Sequence, residues 1–247
     1  MKIKILAPIL FIIVLVVAFE IILRSTGIVS FIFPRPSIIL QELVKNWAWI
    51  LDNLVVTLYE AVTGFGISIL VGVVLALTCL FAPFLRSTIV PVTIAIRNVP
   101  FVAIAPILFM IFGYGPLAKI VIVVLVSFFP IMANLLAGFG SVNKNQLERF
   151  YILRATKWQL FTKLQLPSSV PYFIAGVEVA VSSVVIAAIV GELMGTTKGL
   201  GLVIIMSVSQ YRFPLLMASV LVTTIASILI TWIVRSMTSL ILKPWTS

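Results

Sequence analysis

The chain has 247 residues, is 62% hydrophobic and only 10% charged, and its mean hydropathy is +1.27. Soluble domains carry roughly 25% charged residues, so a single water-soluble core is excluded and an all-α polytopic membrane protein is expected. Histidine is absent and Cys79 is the only cysteine, which removes His-based metal sites, Ser-His and Cys-His dyads, and any disulfide framework. The net charge of +10 is read as Lys and Arg marking cytoplasmic ends of spans. No nucleic-acid partner, cofactor or metal is expected.

A membrane span needs about 20 mostly apolar residues. Six such runs occur, at 5–23, 54–82, 88–112, 117–140, 173–194 and 214–241. They make one transmembrane domain over 1–247. The first follows two lysines and resembles a signal peptide. Apolar residues resume after Glu20 as far as Leu23, so an uncleaved span is expected. Between the first two runs, Phe33-Pro34-Arg35-Pro36 is expected to be extended, with Ser37 capping an interfacial helix over 38–51. Gly64, Ser68, Gly72 and Ala76 form a small-residue stripe in the second run. Ser183, Ala187, Gly191, Gly195 and Gly199 repeat the interval in and beyond the fifth. Such stripes let helices approach closely, within one chain or at a seam with another subunit. Pro100 and Pro106 in the third run, and Pro130 in the fourth, predict bends.

With the N-terminus inside, the inner segments hold Lys2, Lys4, Arg86, Arg97, Lys144, Arg149, Arg154, Lys157, Lys163, Arg235 and Lys243. The outer side holds Arg24, Arg35, Lys45, Lys119, Lys198 and Arg212. This asymmetry predicts both termini, and the long loop 141–172, on the cytoplasmic side of the membrane.

That loop is the one long polar island, with five basic residues and the acidic Glu148. Asn143 and Thr156 each precede a glutamine by three residues, the capping-box spacing. Two short helices are therefore predicted. One runs from Lys144 to Leu153. The other runs from Lys157 to Gln165 and is ended by Pro167, with a break at Arg154–Ala155. Leu147, Phe150, Tyr151 and Leu153 give the first an apolar face, and Trp158, Phe161 and Leu164 give the second one. These faces either pack on the chain's own spans or dock on another protein.

Glu148, then Ala155 to Phe161, then Leu164, Leu166 and Pro167 resemble the "EAA loop" of ABC importer permeases, whose pattern is E-A-A, three residues, G, nine residues, I-x-L-P. The resemblance extends from Phe33 to Ile241 through Phe33-Pro34-Arg35-Pro36-Ser37, Val99-Pro100, Ala105-Pro106-Ile107, Phe112-Gly113-Tyr114-Gly115, Phe128-Phe129-Pro130-Ile131, Pro171-Tyr172, Gly191-Glu192-Leu193 and Gly199-Leu200-Gly201. Together these are similar to the permeases for nitrate, sulfonates, taurine and the pyrimidine precursor of thiamine. The two motif alanines are Arg149 and Phe150 here, and the motif glycine is Arg154.

The resemblance implies a type I importer permease of a prokaryotic inner membrane, with six spans and cytoplasmic coupling helices. It implies two permease copies, as a homodimer, with two ATP-binding subunits and an extracytoplasmic substrate-binding protein. The chain has no G-x-x-x-x-G-K-[ST], so ATP is expected on the partner. Coupling is expected at Glu148, Arg154, Ala155, Trp158, Leu164 and Pro167. Asn98, Pro100, Pro106, Asn134, Glu178 and Glu192 are candidates to line the pathway. Glu20, Glu60, Glu178 and Glu192 are expected to face protein or water, and the first, second and last, near outer ends, to reach water. A stand-alone secondary carrier or channel is the rival reading.

Overall fold

The computed structural model describes residues 2–25 and 33–242, and for 2–9 and 12 the backbone alone. Residues 26–32 of the outer loop, Lys243, and the Lys2 and Lys4 side chains lie outside it. Helix α1 (Lys2–Ser25) has 24 residues. At 1.5 Å per residue that is ~36 Å, more than the ~30 Å of hydrocarbon. Helix α2 (Pro36–Lys45) starts on a proline after Arg35, which is extended. Ser37 therefore lies inside the first turn and does not cap it. Its backbone N–H and its hydroxyl instead donate to the Glu20 carboxylate of α1, at 3.1 and 2.9 Å. The predicted helix 38–51 is divided at Asn46, whose side-chain amide donates to Glu42 O at 2.9 Å and bends the backbone to φ −108°. Side-chain bonds of this kind compete with the helix ladder. The second span accordingly begins early, as α3 (Trp47–Phe81).

Helix α6 (Pro116–Gly140) is the central post. A Cβ built on Gly64 of α3 would meet Val123 at 2.6 Å, and one on Gly72 would meet Ile131 at 3.0 Å. The constant offset makes α3 and α6 parallel, with the predicted small stripe as their seam. On the other side of α6 runs α9 (Leu166–Met194). Gly138 faces Ser169, Gly176 faces Ile131, and Gly191 faces Lys119, a register that runs antiparallel. Ile131, Met132 and Leu135 of α6 fill the core with Ala76, Phe161 and Val177.

The third predicted span, 88–112, is not one straight crossing. Helices α4 (Pro83–Asn98) and α5 (Phe101–Phe112) meet at 100°. Val99, forced out of the helical region by Pro100, is extended at ψ 129°. The pair still carries the chain from one end of the bundle to the other. It leaves Phe81, which contacts Trp158 and Phe161, and ends at Tyr114, which lies against Gly195. Pro106 and Pro130 lie inside continuous helices.

The loop folds as α7 (Lys144–Ile152) and α8 (Lys157–Leu160). The Thr156 hydroxyl accepts from Gln159 N at 3.2 Å, and the Gln159 side chain accepts from Thr156 N at 2.9 Å, the predicted capping box. Asn143 caps α7 through Asn145 N. Pro167, however, does not end the second helix. A π-helical turn (Phe161–Gln165) follows α8 and runs directly into α9, giving one 38-residue rod, Lys157–Met194. Such a π-turn is a local irregularity within an otherwise continuous helix. Helix α10 (Leu200–Ser209) is a short apolar helix that span counting missed, and α11 (Phe213–Leu242) completes the bundle.

Two helices stop on left-handed residues with side chains. Arg154 has φ +50°, with Ala155 N donating to Phe150 O and Arg154 N to Tyr151 O, both at 3.0 Å. Tyr211 has φ +57° and repeats the pattern after α10. This is the Schellman stop, which favours glycine.

Two measurements check this packing. Gly138→Ala places a methyl 2.8 Å from the Ser169 Cα, whereas Gly66 has open space. Gly138→Ala is expected to lower stability by about 1–3 kcal/mol, read as a lower melting temperature in detergent, and Gly66→Ala not to lower it, since alanine favours a helix interior over glycine. Relief of the left-handed strain, worth roughly 1–2 kcal/mol, predicts slower amide exchange in α7 for Arg154→Gly and faster exchange for the β-branched Arg154→Val.

Candidate functional site: two polar ends of one bundle

At the first end, α8 and the π-turn are anchored by rings. Phe161 is buried and packs edge-on to Phe81 at 5.1 Å and to Phe139 at 6.1 Å. Trp158 stacks on Phe81 at 6.5 Å but stays 64% exposed. Leu164 is buried, and Pro167 and Ala155 are half-buried. The face of the second helix thus packs largely on the chain's own spans. The first helix differs. Tyr151, Ile152 and Leu153 are 72%, 81% and 76% exposed, and Glu148 and Arg154 are exposed beside them. Three successive large apolar side chains standing exposed beside Glu148 and Arg154 are more than a solvated loop needs.

The candidate pathway residues do not meet at one point. Asn98, Pro100 and Pro106 are exposed along the broken pair. Asn134 donates back to Pro130 O at 2.8 Å. Glu178 accepts from the Thr238 hydroxyl at 2.8 Å, with Arg235 at 3.7 Å. Glu192 lies towards the opposite end of α9 and is fully buried.

Glu192 belongs to a charged cluster at the second end. Neither Glu60 nor Glu192 reaches water, since both are 0% exposed. The Lys119 ammonium, 3% exposed, sits 2.6 Å from Glu60 Oε1 and donates to Thr196 Oγ1 at 3.0 Å. The Thr57 hydroxyl donates to Glu192 Oε1 at 2.7 Å, and Gly201 N donates to Glu192 Oε2 at 2.6 Å. Thr57 Oγ1 also accepts from Leu200 N, and Asn53 Oδ1 from Gly199 N, each at 2.8 Å. Three side chains from α3 and α9 thus cap the N-terminus of α10, whose Gly199 takes φ +120°. A Cβ at Gly199 would collide with the Glu192 carboxyl, and one at Gly201 with the Glu192 Cβ.

Reading by spans missed this cluster because it counted Lys119 as a loop charge. The signal was present. Asn53, Thr57 and Glu60 recur at helical spacing in an otherwise apolar run, and ionisable groups at membrane depth need partners on other helices.

Residues 68–244 match the family "Binding-protein-dependent transport system inner membrane component". The chain is 32% identical to the formylaminopyrimidine transport permease protein of Halalkalibacterium halodurans, over 97% of this chain and 96% of that one. It is 31% identical to a probable ABC transporter permease protein of Haemophilus influenzae, over 90% and 91%. Its fold resembles that of an amino acid ABC transporter crystallised with histidines, with a TM-score of 0.65, 16% identity, and coverage of 81% of this chain and 95% of that one. The chain belongs to the binding-protein-dependent transport system inner membrane components, and it is a multi-pass permease subunit of an ABC importer.

Proposed function

We propose that this permease works as a pair of copies, driven by two separate ATP-binding subunits that dock on the α7–α8 loop. The observation that supports docking is the exposed Tyr151-Ile152-Leu153 patch beside Glu148. The charge asymmetry of the sequence supports a cytoplasmic place for that loop and for both termini. The charged cluster around Lys119 then lies at the extracytoplasmic end, where a substrate-binding protein delivers cargo. The similarity to a formylaminopyrimidine permease over almost the whole chain supports a small pyrimidine-type nutrient as cargo.

In this reading the permease does no chemistry. ATP-driven closure of the ATPases moves α7 and α8, and α8 is the start of the rod Lys157–Met194. The ATPases shift the equilibrium only by binding the two states of the permease with different strength.

The test is reconstitution in liposomes. Formylaminopyrimidine uptake is expected only with the ATPase, ATP and binding protein together. Uptake by the permease alone, driven by an ion gradient, would establish a stand-alone carrier instead. Glu148→Lys, and separately the pair Ile152→Ser and Leu153→Ser, should insert normally yet reduce co-purified ATPase at least about tenfold, since a contact of this kind is worth about 1.4 kcal/mol or more. Unchanged co-purification in both would remove the docking assignment.

A further inference from the structure

Beside the charged cluster lies a cleft of about 390 Å³, lined by Tyr59, Glu60, Tyr114, Lys119, Thr197 and Lys198 among others. That size falls in the range of small-molecule sites, roughly 300–1,000 Å³. Tyr59 and Tyr114 are 57% and 66% exposed and stand as aromatic walls. Lys198 is exposed, so the mouth opens on water, because an ammonium is not left in lipid.

The floor of the cleft is one donor short. Glu192 receives two hydrogen bonds, from Thr57 and Gly201. Neither carboxyl oxygen of Glu60 receives a well-directed one, although Lys119 stands 2.6 Å from Oε1. Glu60 and Glu192 also lie within electrostatic reach of each other, so two carboxyls share a single ammonium. A buried acceptor without a donor is costly, and so is a buried charge without a full counter-charge. Lys119 already holds a second partner in Thr196. Glu192 also lies within electrostatic reach of this ammonium, so Lys119 can turn from Glu60 towards Thr196 and Glu192 and keep a counter-charge.

We propose that this cleft is a substrate subsite for a small, flat heteroaromatic amine, whose N–H groups take the Glu60 carboxylate while Tyr59 and Tyr114 hold its ring. A planar ring matches the aromatic walls, and N–H donors supply what Glu60 lacks. The subsite deepens the proposed importer function and rests on it for its place on a transport path.

The test uses the purified permease–ATPase complex. In the binding arm, millimolar 4-aminopyrimidine is expected to raise the melting temperature of the wild-type complex. Glu60→Gln should abolish that rise, and Tyr59→Ala should weaken the affinity about tenfold. In the transport arm, Glu60→Gln should cut formylaminopyrimidine uptake at least tenfold. The charge swap Glu60→Lys with Lys119→Glu restores an ion pair but puts an ammonium where a carboxylate should meet the ligand. It should assemble normally and remain defective in both arms. Recovery of wild-type uptake by the swap would make the pair a structural lock and overturn the subsite, as would no wild-type rise or a rise retained in Glu60→Gln. Should Glu60→Gln fail to assemble, Tyr59→Ala decides, and unchanged affinity there overturns the proposal. If the wild-type complex binds 4-aminopyrimidine through Glu60 yet takes up no formylaminopyrimidine, the proposed cargo falls and the subsite stands.

Discussion

Close approach to α6 is the constraint on which the rest of this structure depends. In lipid, helices gain nothing by hiding leucines from one another, so association rests on backbone proximity and polar contacts. α6 meets this demand on two sides. Gly64 and Gly72 of α3 close on one face, and Gly176 and Gly191 of α9 close on the other, with Gly138 of α6 itself accommodating Ser169. Each glycine removes a methyl that would collide with or press on a neighbour. The parallel and antiparallel registers that result fix the axial positions of three spans at once. They place Lys119, at the start of α6, level with Glu60 and Glu192. They also place Phe139, near its end, against Phe161. Both polar ends of the bundle therefore hang from one helix.

The two ends are joined mechanically as well. The rod Lys157–Met194 has 38 residues, ~57 Å at 1.5 Å per residue. Trp158, near one tip, stacks on Phe81, and Glu192, near the other, caps α10. The interruptions between them are local: the π-turn and Pro171 inside α9. A helix transmits axial and tilting motion over such a distance, and packing against α6 restrains it from bending freely. Residue contacts alone do not establish coupling. What the rod supplies is a continuous element on which both ends can act.

Much of this was legible beforehand, and the misses have physical causes. The capping box at Thr156, the small stripe of α3 and the stop at Arg154 are local patterns, and each is present as read. Proline lacks a donor, which predicts a stop at Pro167, but the helix runs on through a π-turn just upstream. The residue type of Ser37 predicts a cap, but Pro36 sets the helix start one residue earlier. Val99-Pro100 signalled a bend, yet a 100° break is set by where α4 and α5 find partners on α6. The Glu60–Lys119–Glu192 cluster was the largest omission. It joins residues far apart in sequence, and only the register of α3, α6 and α9 brings them together.

That cluster is also where the polar inventory is uneven. The N-terminus of α10 presents free backbone N–H groups and the positive end of a helix dipole. Glu192 takes Gly201 N directly, and Thr57 bridges Leu200 N to it. Asn53 takes Gly199 N. These donors compensate Glu192 almost completely, whereas Glu60 has the ammonium that it shares with Thr196 and, beside it, the Glu192 carboxyl. No cap bond passes through Glu60, so the α10 cap does not require it; a neutral side chain there would leave the Lys119 ammonium to Glu192 alone. A carboxylate kept where the cap does not need it, at the floor of a cleft with two tyrosines at its walls, is the arrangement expected of a group that meets its donor only when something enters.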